Sequence, residues 1–257
     1  MRASAGAAVV ALAVTSFAAA QSDAGRASAP ASSYPDLPPL QWIVHNTGER
    51  AEIRLYRGDG SVDPSAHREL SHLLRDARRN REIEIDVRLL RLTYRIAYHF
   101  RARSIRVISG YRSRTSRSHS HHKNGTALDF RLEGIATADV ARYARYLGRV
   151  GVGHYTTSDF VHLDVRDVSY YWRSGAGPRR RGGWNRPLAR VGARERDTSW
   201  TDEMDAPWDP PGFSIPTPDP TDEPIRGVRR PRRHRQHHAP HIRRRHSPGS
   251  GRRPGRR

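Results

Sequence analysis

Apolar residues recur along this chain with two different periods, and the change of period marks its elements. From Asp63, Leu70, Leu73, Leu74 and Ala77 follow the i, i+3, i+4, i+7 spacing of one helix face, behind an Asp63-Pro64 pair suited to an N-cap and first helical residue. A second helix is predicted from Asp86, with Leu89, Leu92, Ile96 and Phe100 on one stripe and Leu90, Tyr94 and Ala97 beside it. The period then falls to two. Ile105 to Ser109 is a short β-branched run ended by Gly110, and Leu128, Phe130 and Leu132 alternate with Ala127, Asp129 and Arg131. Val161, Leu163 and Val165 likewise alternate with Phe160, His162 and Asp164, and Gly151 to Tyr155 reads as a further short strand. Thr137 is expected to cap a helix that carries Val140, Tyr143, Ala144 and Leu147 and stops at Gly148. Near the start, Trp42 to His45 and Ala51 to Tyr56 flank the turn signal Asn46-Thr47-Gly48, the pattern of a hairpin.

Together these elements predict an α+β domain over residues 41–173: a small, mainly antiparallel sheet with helices packed on one face. In the 128–132 and 160–165 strands the polar residues share the face turned from the core, so a site made from them is expected on the other face. Residues 21–40, built of Ser, Ala, Pro and Asp, are predicted to be a disordered linker. Residues 174–257 lose the apolar period. They pass through Gly, Pro and Arg, then an acidic stretch from Asp197 to Glu223, then an arginine and histidine run from Arg226 to Arg257 with no acidic residue, and a long disordered basic C-terminal tail is predicted. Residues 1–20 read as a signal peptide, with Arg2 before an apolar run from Gly6 to Phe17 and Ala18-Ala19-Ala20 as the small residues of a cleavage site. Export to the periplasm or cell envelope follows. No later stretch approaches the ~20 apolar residues of a membrane helix, so no integral span is expected after signal removal.

Composition narrows the chemistry. With 35% apolar residues and a mean hydropathy of -0.82 over 257 residues, much of the chain cannot be packed core. The absence of cysteine excludes disulfides, thiolate metal sites and a cysteine nucleophile. A formal net charge of +20 favours anionic partners: wall polymers, outer-membrane polymers, nucleic acid or acidic membrane surfaces.

The candidate chemistry lies in Ser120 to Asp129 and Asp159 to Asp164. A catalytic zinc site takes three nitrogen or oxygen ligands and leaves one position open. His122, Asp129 and His162 meet that need: Gly125 lets the chain turn tightly between the first two, and His162 arrives from a neighbouring strand. A metal-activated water also calls for a carboxylate base. Asp159, three residues before His162, is one candidate, while Asp164 shares the strand face of His162 and could instead orient its imidazole. A cationic group for a developing oxyanion is available in Arg112, with Arg114 and Arg117 as competitors.

Three motifs in order then carry a resemblance. Ser109-Gly110-Tyr111-Arg112-Ser113, Ser120-x-His122 with Gly125-x-Ala127-Leu128-Asp129, and Asp159-Phe160-Val161-His162-Leu163-Asp164 resemble the zinc-dependent D-Ala-D-Ala carboxypeptidase superfamily, and within it the murein endopeptidase K branch. The similarity runs from about Trp42 to Trp172 and includes Asn46-Thr47-Gly48-Glu49 and Ile85 to Leu90. It implies Zn2+ on His122, Asp129 and His162, Asp159 as general base, Arg112 polarising the scissile carbonyl, Ser120 and Tyr111 touching substrate, and Asp164 behind the ligands. The implied substrate is peptidoglycan, cut in its cross-links or stem peptides. Only Arg114 to His119 separates the arginine motif from Ser120, less than is usual in that superfamily, so the groove wall is expected to differ.

The resulting expectation is an exported zinc metallopeptidase, an endopeptidase or carboxypeptidase of peptidoglycan, with the basic tail reaching anionic wall or outer-membrane polymers. The rival readings are a non-catalytic peptidoglycan- or polyanion-binding protein and a nucleic-acid binder. Neither needs the intact ligand triad, which argues against both.

Overall fold

The computed structural model of the chain describes residues 34–115, 119–175 and 184–215. The signal-peptide expectation, and most of the linker and tail expectations, lie outside these residues. The elements are β1 (Leu40–Val44), β2 (Arg50–Ile53), α1 (Pro64–Leu73), α2 (Val87–His99), β3 (Ser104–Ser109), β4 (Ala127–Leu132), α3 (Thr137–Ala144), β5 (Val150–Tyr155), β6 (Phe160–Val165), β7 (Tyr170–Gly175), β8 (Trp184–Pro187) and α4 (Ala193–Ser199).

The α+β reading holds, with a larger sheet than expected. Eight strands run in the order β2-β1-β3-β4-β6-β5-β7-β8, and all neighbours are antiparallel except the β1–β3 and β5–β7 pairs. The hairpin forms as read, with Gly48 at φ +74° in its turn. Both helix starts also form as read: Asp63 accepts from the Ser65 amide with Pro64 in the first turn, and Asp86 accepts from the Leu89 amide. Leu89, Leu92 and Ile96 of α2 join Leu128, Phe130, Val161 and Leu163 of the central strands in one buried core.

Four expectations need correction. α1 ends at Leu73 with Leu74 as its cap, so Ala77 lies in the following turn and is exposed. Thr137 is the first residue of α3 rather than its cap; Ala136 occupies that position, and the Thr137 hydroxyl is used elsewhere. The fold begins before residue 41, because Leu40 is fully buried and Tyr34 packs its ring 5.3 Å from that of Tyr56. It also continues past 173, through β7 into β8, α4 and a 3-10 turn at Asp202–Asp205, and Leu188 and Ala193 are part of the core.

The physical reason for this last extension is charge. Arg88 and Arg95 sit on α2 with side chains only 15% and 6% exposed, and a buried guanidinium is tolerated only when paired. Asp205 answers Arg88 at 2.6 Å, and Gly148 and Arg149 carbonyls accept its remaining donors. Asp209 accepts from Tyr143 at 2.6 Å and pairs with His99 and Arg95. Asp197 accepts from the Arg149 and Ser169 amides and from the Ser169 hydroxyl. The start of the acidic stretch thus supplies counter-charges to α2 through Asp205 and Asp209, and hydrogen-bond acceptors to Arg149 and Ser169 through Asp197.

Replacing Asp205, 1% exposed, leaves Arg88 buried without its partner. Asp205→Ala is expected to lower stability by about 3 kcal/mol in denaturant unfolding, whereas Asp202→Ala, at an exposed position, should stay within about 0.5 kcal/mol.

Candidate metal centre

Two segments of chain meet to form the centre. After β3, Gly110 passes close under the end of α1, where a Cβ would overlap the Leu74 carbonyl; glycine is needed there for space. The Tyr111 amide donates to that same carbonyl at 2.8 Å, and the Arg112 amide donates to the His122 carbonyl at 3.1 Å. His122 lies in a 3-10 turn, His121–Asn124, that ends at Gly125 with φ +69° and leads into β4. Its Nδ1 donates to the Gly110 carbonyl at 2.7 Å, which leaves Nε2 facing Asp129 Oδ1 at 3.3 Å.

The second half comes from pairing. The antiparallel β4–β6 register sets Asp129 directly opposite His162, on positions that alternate with the buried Phe130 and Val161. His162 Nδ1 is 2.7 Å from Asp129 Oδ1, and its Nε2 is 2.9 Å from Asp164 Oδ2. Asp164 is fully buried and accepts from Arg166 twice, at 2.6 and 2.5 Å.

His122, Asp129 and His162 are all buried, and one ligand atom from each lies within 4.8 Å of the others. Two imidazoles and one carboxylate suit zinc or another borderline divalent ion. Each imidazole turns one nitrogen toward Asp129 and fixes the other on an acceptor, the Gly110 carbonyl or Asp164. Ligating histidines are held in this way, with the tautomer set by the outer partner.

The protonation of the cluster follows from its packing. Burial alone would raise the Asp129 carboxyl, but hydrogen bonds with His122 and His162 outweigh it and hold the group far below the usual carboxylate range. Burial likewise works against Asp164, and bonds from His162 and Arg166 bring it down to about 2. Burial would lower His162, yet its bonds to Asp129 and Asp164 raise it to about 9.

A cavity of about 670 Å³ opens over the triad and is lined by Arg112, Ser120, Phe160 and Trp172 among others. Arg112 donates to Ser109 Oγ at 2.6 Å and, through Nη2, to Asp129, with 42% of its side chain exposed at the mouth. Tyr111 and Arg114 line an adjoining cavity; Arg117 lies outside the described residues.

Asp159 is not brought to the triad. It takes a left-handed backbone at φ +49°, accepts from Thr137 Oγ1 at 2.8 Å, lies 3.6 Å from Arg131, and is not among the residues lining the cavity. Thr137 in turn is 3.2 Å from Nε2 of His154, a buried histidine of β5.

Three contributors escaped the sequence reading: Arg166, Trp172 and the glycines of β5. Gly153 pairs with His162, and a Cβ on it would overlap the Trp172 indole, whose ring lies 5.2 Å from that of His162. A Cβ on Gly151 would overlap the Asp164 carboxylate and the Arg166 guanidinium. The signal was present as glycine at alternate positions of a strand, a mark of close approach on one face.

A family described as peptidoglycan L,D-endopeptidase MepK matches residues 35–172. A probable peptidoglycan L,D-endopeptidase MepK of Haemophilus influenzae is 37% identical over 138 residues, spanning 48% of this chain and 73% of that protein. The peptidoglycan L,D-endopeptidase MepK of Escherichia coli K12 and that of Shigella flexneri are each 34% identical over 138 residues, spanning 49% of this chain and 75% of theirs. No solved structure matches the chain.

The shifted groups make stability depend on pH with a definite sign. His162, raised from 6.5 to about 9, contributes fully below pH 6.5 and loses its contribution as pH climbs through 9. Asp129 and Asp164, lowered from 3.8, contribute above that value and lose it as pH falls toward 2. Metal-free protein is therefore expected to be most stable between about pH 4 and 6.5. Urea unfolding from pH 4 to 9 tests this, and an unchanged stability above pH 6.5 would contradict the pairing of His162 with two carboxylates.

Proposed function

We propose, because the chain belongs to the peptidoglycan L,D-endopeptidase MepK family, that it is a zinc metallopeptidase that is exported and hydrolyses peptide bonds of peptidoglycan cross-links in the cell envelope. The observation that carries this reading is the buried His122, Asp129 and His162 cluster at the floor of an open cavity, inside the matched region. The leader-like pattern of residues 1–20 supports export. The arginine-rich run from Arg226 adds affinity for anionic wall or outer-membrane polymers.

His122, Asp129 and His162 would hold the ion through Nε2, a carboxylate oxygen and Nδ1. Zinc at such a site acts as a Lewis acid that activates water and polarises a carbonyl. Asp164 is a positioning residue: its carboxylate receives the Nε2 proton of His162, and Arg166 occupies its other lone pairs. With its oxygens already engaged by His162 and Arg166, Asp164 is not free to take a proton from water, which leaves the base to Asp159. For that role the Asp159 side chain has to leave Thr137 and Arg131, an exchange costing on the order of 1 kcal/mol per hydrogen bond.

Arg112 spends Nε on Ser109 and Nη2 on Asp129, and its remaining donors face a substrate carbonyl as negative charge develops on it. Ser120 on the cavity wall and Tyr111 beside it contact the peptide.

The test is digestion of purified cross-linked muropeptides, with products resolved by mass. Zinc-loaded protein is expected to cleave them, chelation to abolish cleavage and added zinc to restore it. Arg112→Ala should lower kcat by about 10²-fold or more, and Asp159→Asn by about 10²- to 10⁴-fold. Asp164→Asn should act through the metal, weakening zinc affinity by about 10- to 100-fold. Binding without metal-dependent turnover would overturn the enzyme reading. Full activity in Asp159→Asn would move the base elsewhere.

A further inference from the structure

The cavity over the triad does not end at Arg112. A second cavity, about 740 Å³, shares Arg112, Asp129 and Phe160 with it, so the two form one cleft with the metal centre at their junction. Four further arginines line this second part: Arg75, Arg78, Arg79 and Arg114. Two of them are already matched. Arg75 pairs with Glu49 at 2.7 Å, and Arg79 lies 3.4 Å from Asp76. Asp76, 8% exposed, is itself saturated by the Ser113 amide at 3.1 Å and the Ser113 hydroxyl at 2.7 Å. Arg78 and Arg114 have no hydrogen-bond or ion-pair partner among the described residues.

Elsewhere in this fold, the buried guanidiniums Arg88 and Arg95 of α2 are each given a carboxylate. Arg78 and Arg114 are exposed and unmatched, and as lining residues of a concave wall joined to the metal centre they add positive charge to the cleft. A guanidinium fork fits a carboxylate with two parallel hydrogen bonds, and a peptide lying across the triad would extend into this wall.

We propose that this second cavity is a subsite for a carboxylate-bearing segment of the substrate peptide, recognised by Arg78 and Arg114. The inference rests on the peptidase reading above and adds to it a preference for free over amidated carboxylates in the bound peptide.

The experiment compares a cross-linked muropeptide carrying free carboxylates with the same compound amidated. Binding is measured by calorimetry on metal-free protein, and cleavage on zinc-loaded protein. Wild type should bind the free acid at least about tenfold more tightly, the size expected of one or two charge-assisted hydrogen bonds. The double variant Arg78→Gln/Arg114→Gln should reduce that preference below about threefold, while Arg68→Gln, on the exposed side of α1, keeps it. Equal affinities in wild type, or a preference retained by the double variant, would overturn the subsite. Cleavage without preference leaves the peptidase reading standing and removes this one; preference in binding without any cleavage does the reverse.

Discussion

The pairing of Asp129 with His162 across the β4–β6 register is the interaction on which the rest of the site depends. It lies in a chain of alternating charge, buried at Asp164, His162 and Asp129 and partly exposed at its two ends: the Arg166 guanidinium, the Asp164 carboxylate, the His162 imidazole, the Asp129 carboxylate and the Arg112 guanidinium. None of the three buried members could be there alone, because an unpaired charge in that setting costs several kcal/mol. What fixes the chain is apolar. Leu128, Phe130, Val161 and Leu163 occupy the alternate positions of the same strands and are buried, so a one-residue slip would exchange a core side chain for each polar one.

A chain of charges also needs space and a fixed approach for its last partner. Space comes from β5, where Gly151 and Gly153 leave room for Arg166 with Asp164 and for Trp172. The approach of His122 is set by a short relay through backbone: the end of α1 holds Tyr111, the Gly110 carbonyl holds His122 Nδ1, and the His122 carbonyl holds Arg112. Arg112 then closes the loop on Asp129. An aromatic wall and a guanidinium therefore flank the same triad, one from β7 and one from the loop after β3.

Much of this was legible in the sequence. The two-residue alternation in Leu128 to Leu132 and Phe160 to Val165 placed Asp129, His162 and Asp164 on one strand face, and Asp63 and Asp86 announced two helix starts. Where the reading failed, the deciding facts were non-local. Thr137 resembles a cap by type, but its hydroxyl is taken by Asp159 and His154, partners 22 and 17 residues away. The stretch from Asp197 resembles a solvated acidic tail until its carboxylates are seen against Arg88, Arg149 and Ser169. Spacing was also silent on the position of the Asp159 side chain, which a backbone at φ +49° and a hydrogen bond from Thr137 hold away from the triad in this structure.

Net charge is the clearest case of a quantity that misleads until it is resolved by position. A surplus of +20 suggests a protein that binds polyanions over its whole surface. In the folded part the positive charge is largely cancelled where it is buried: Arg88 by Asp205, Arg95 by Asp209, Arg166 by Asp164, Arg75 by Glu49. Buried charge cancelled in this way shapes the fold. Guanidiniums left unpaired along a concavity, as Arg78 and Arg114 are, keep their donors free for a ligand. Position, not the total, therefore separates arginines that hold the fold together from those with donors to spare along the cleft.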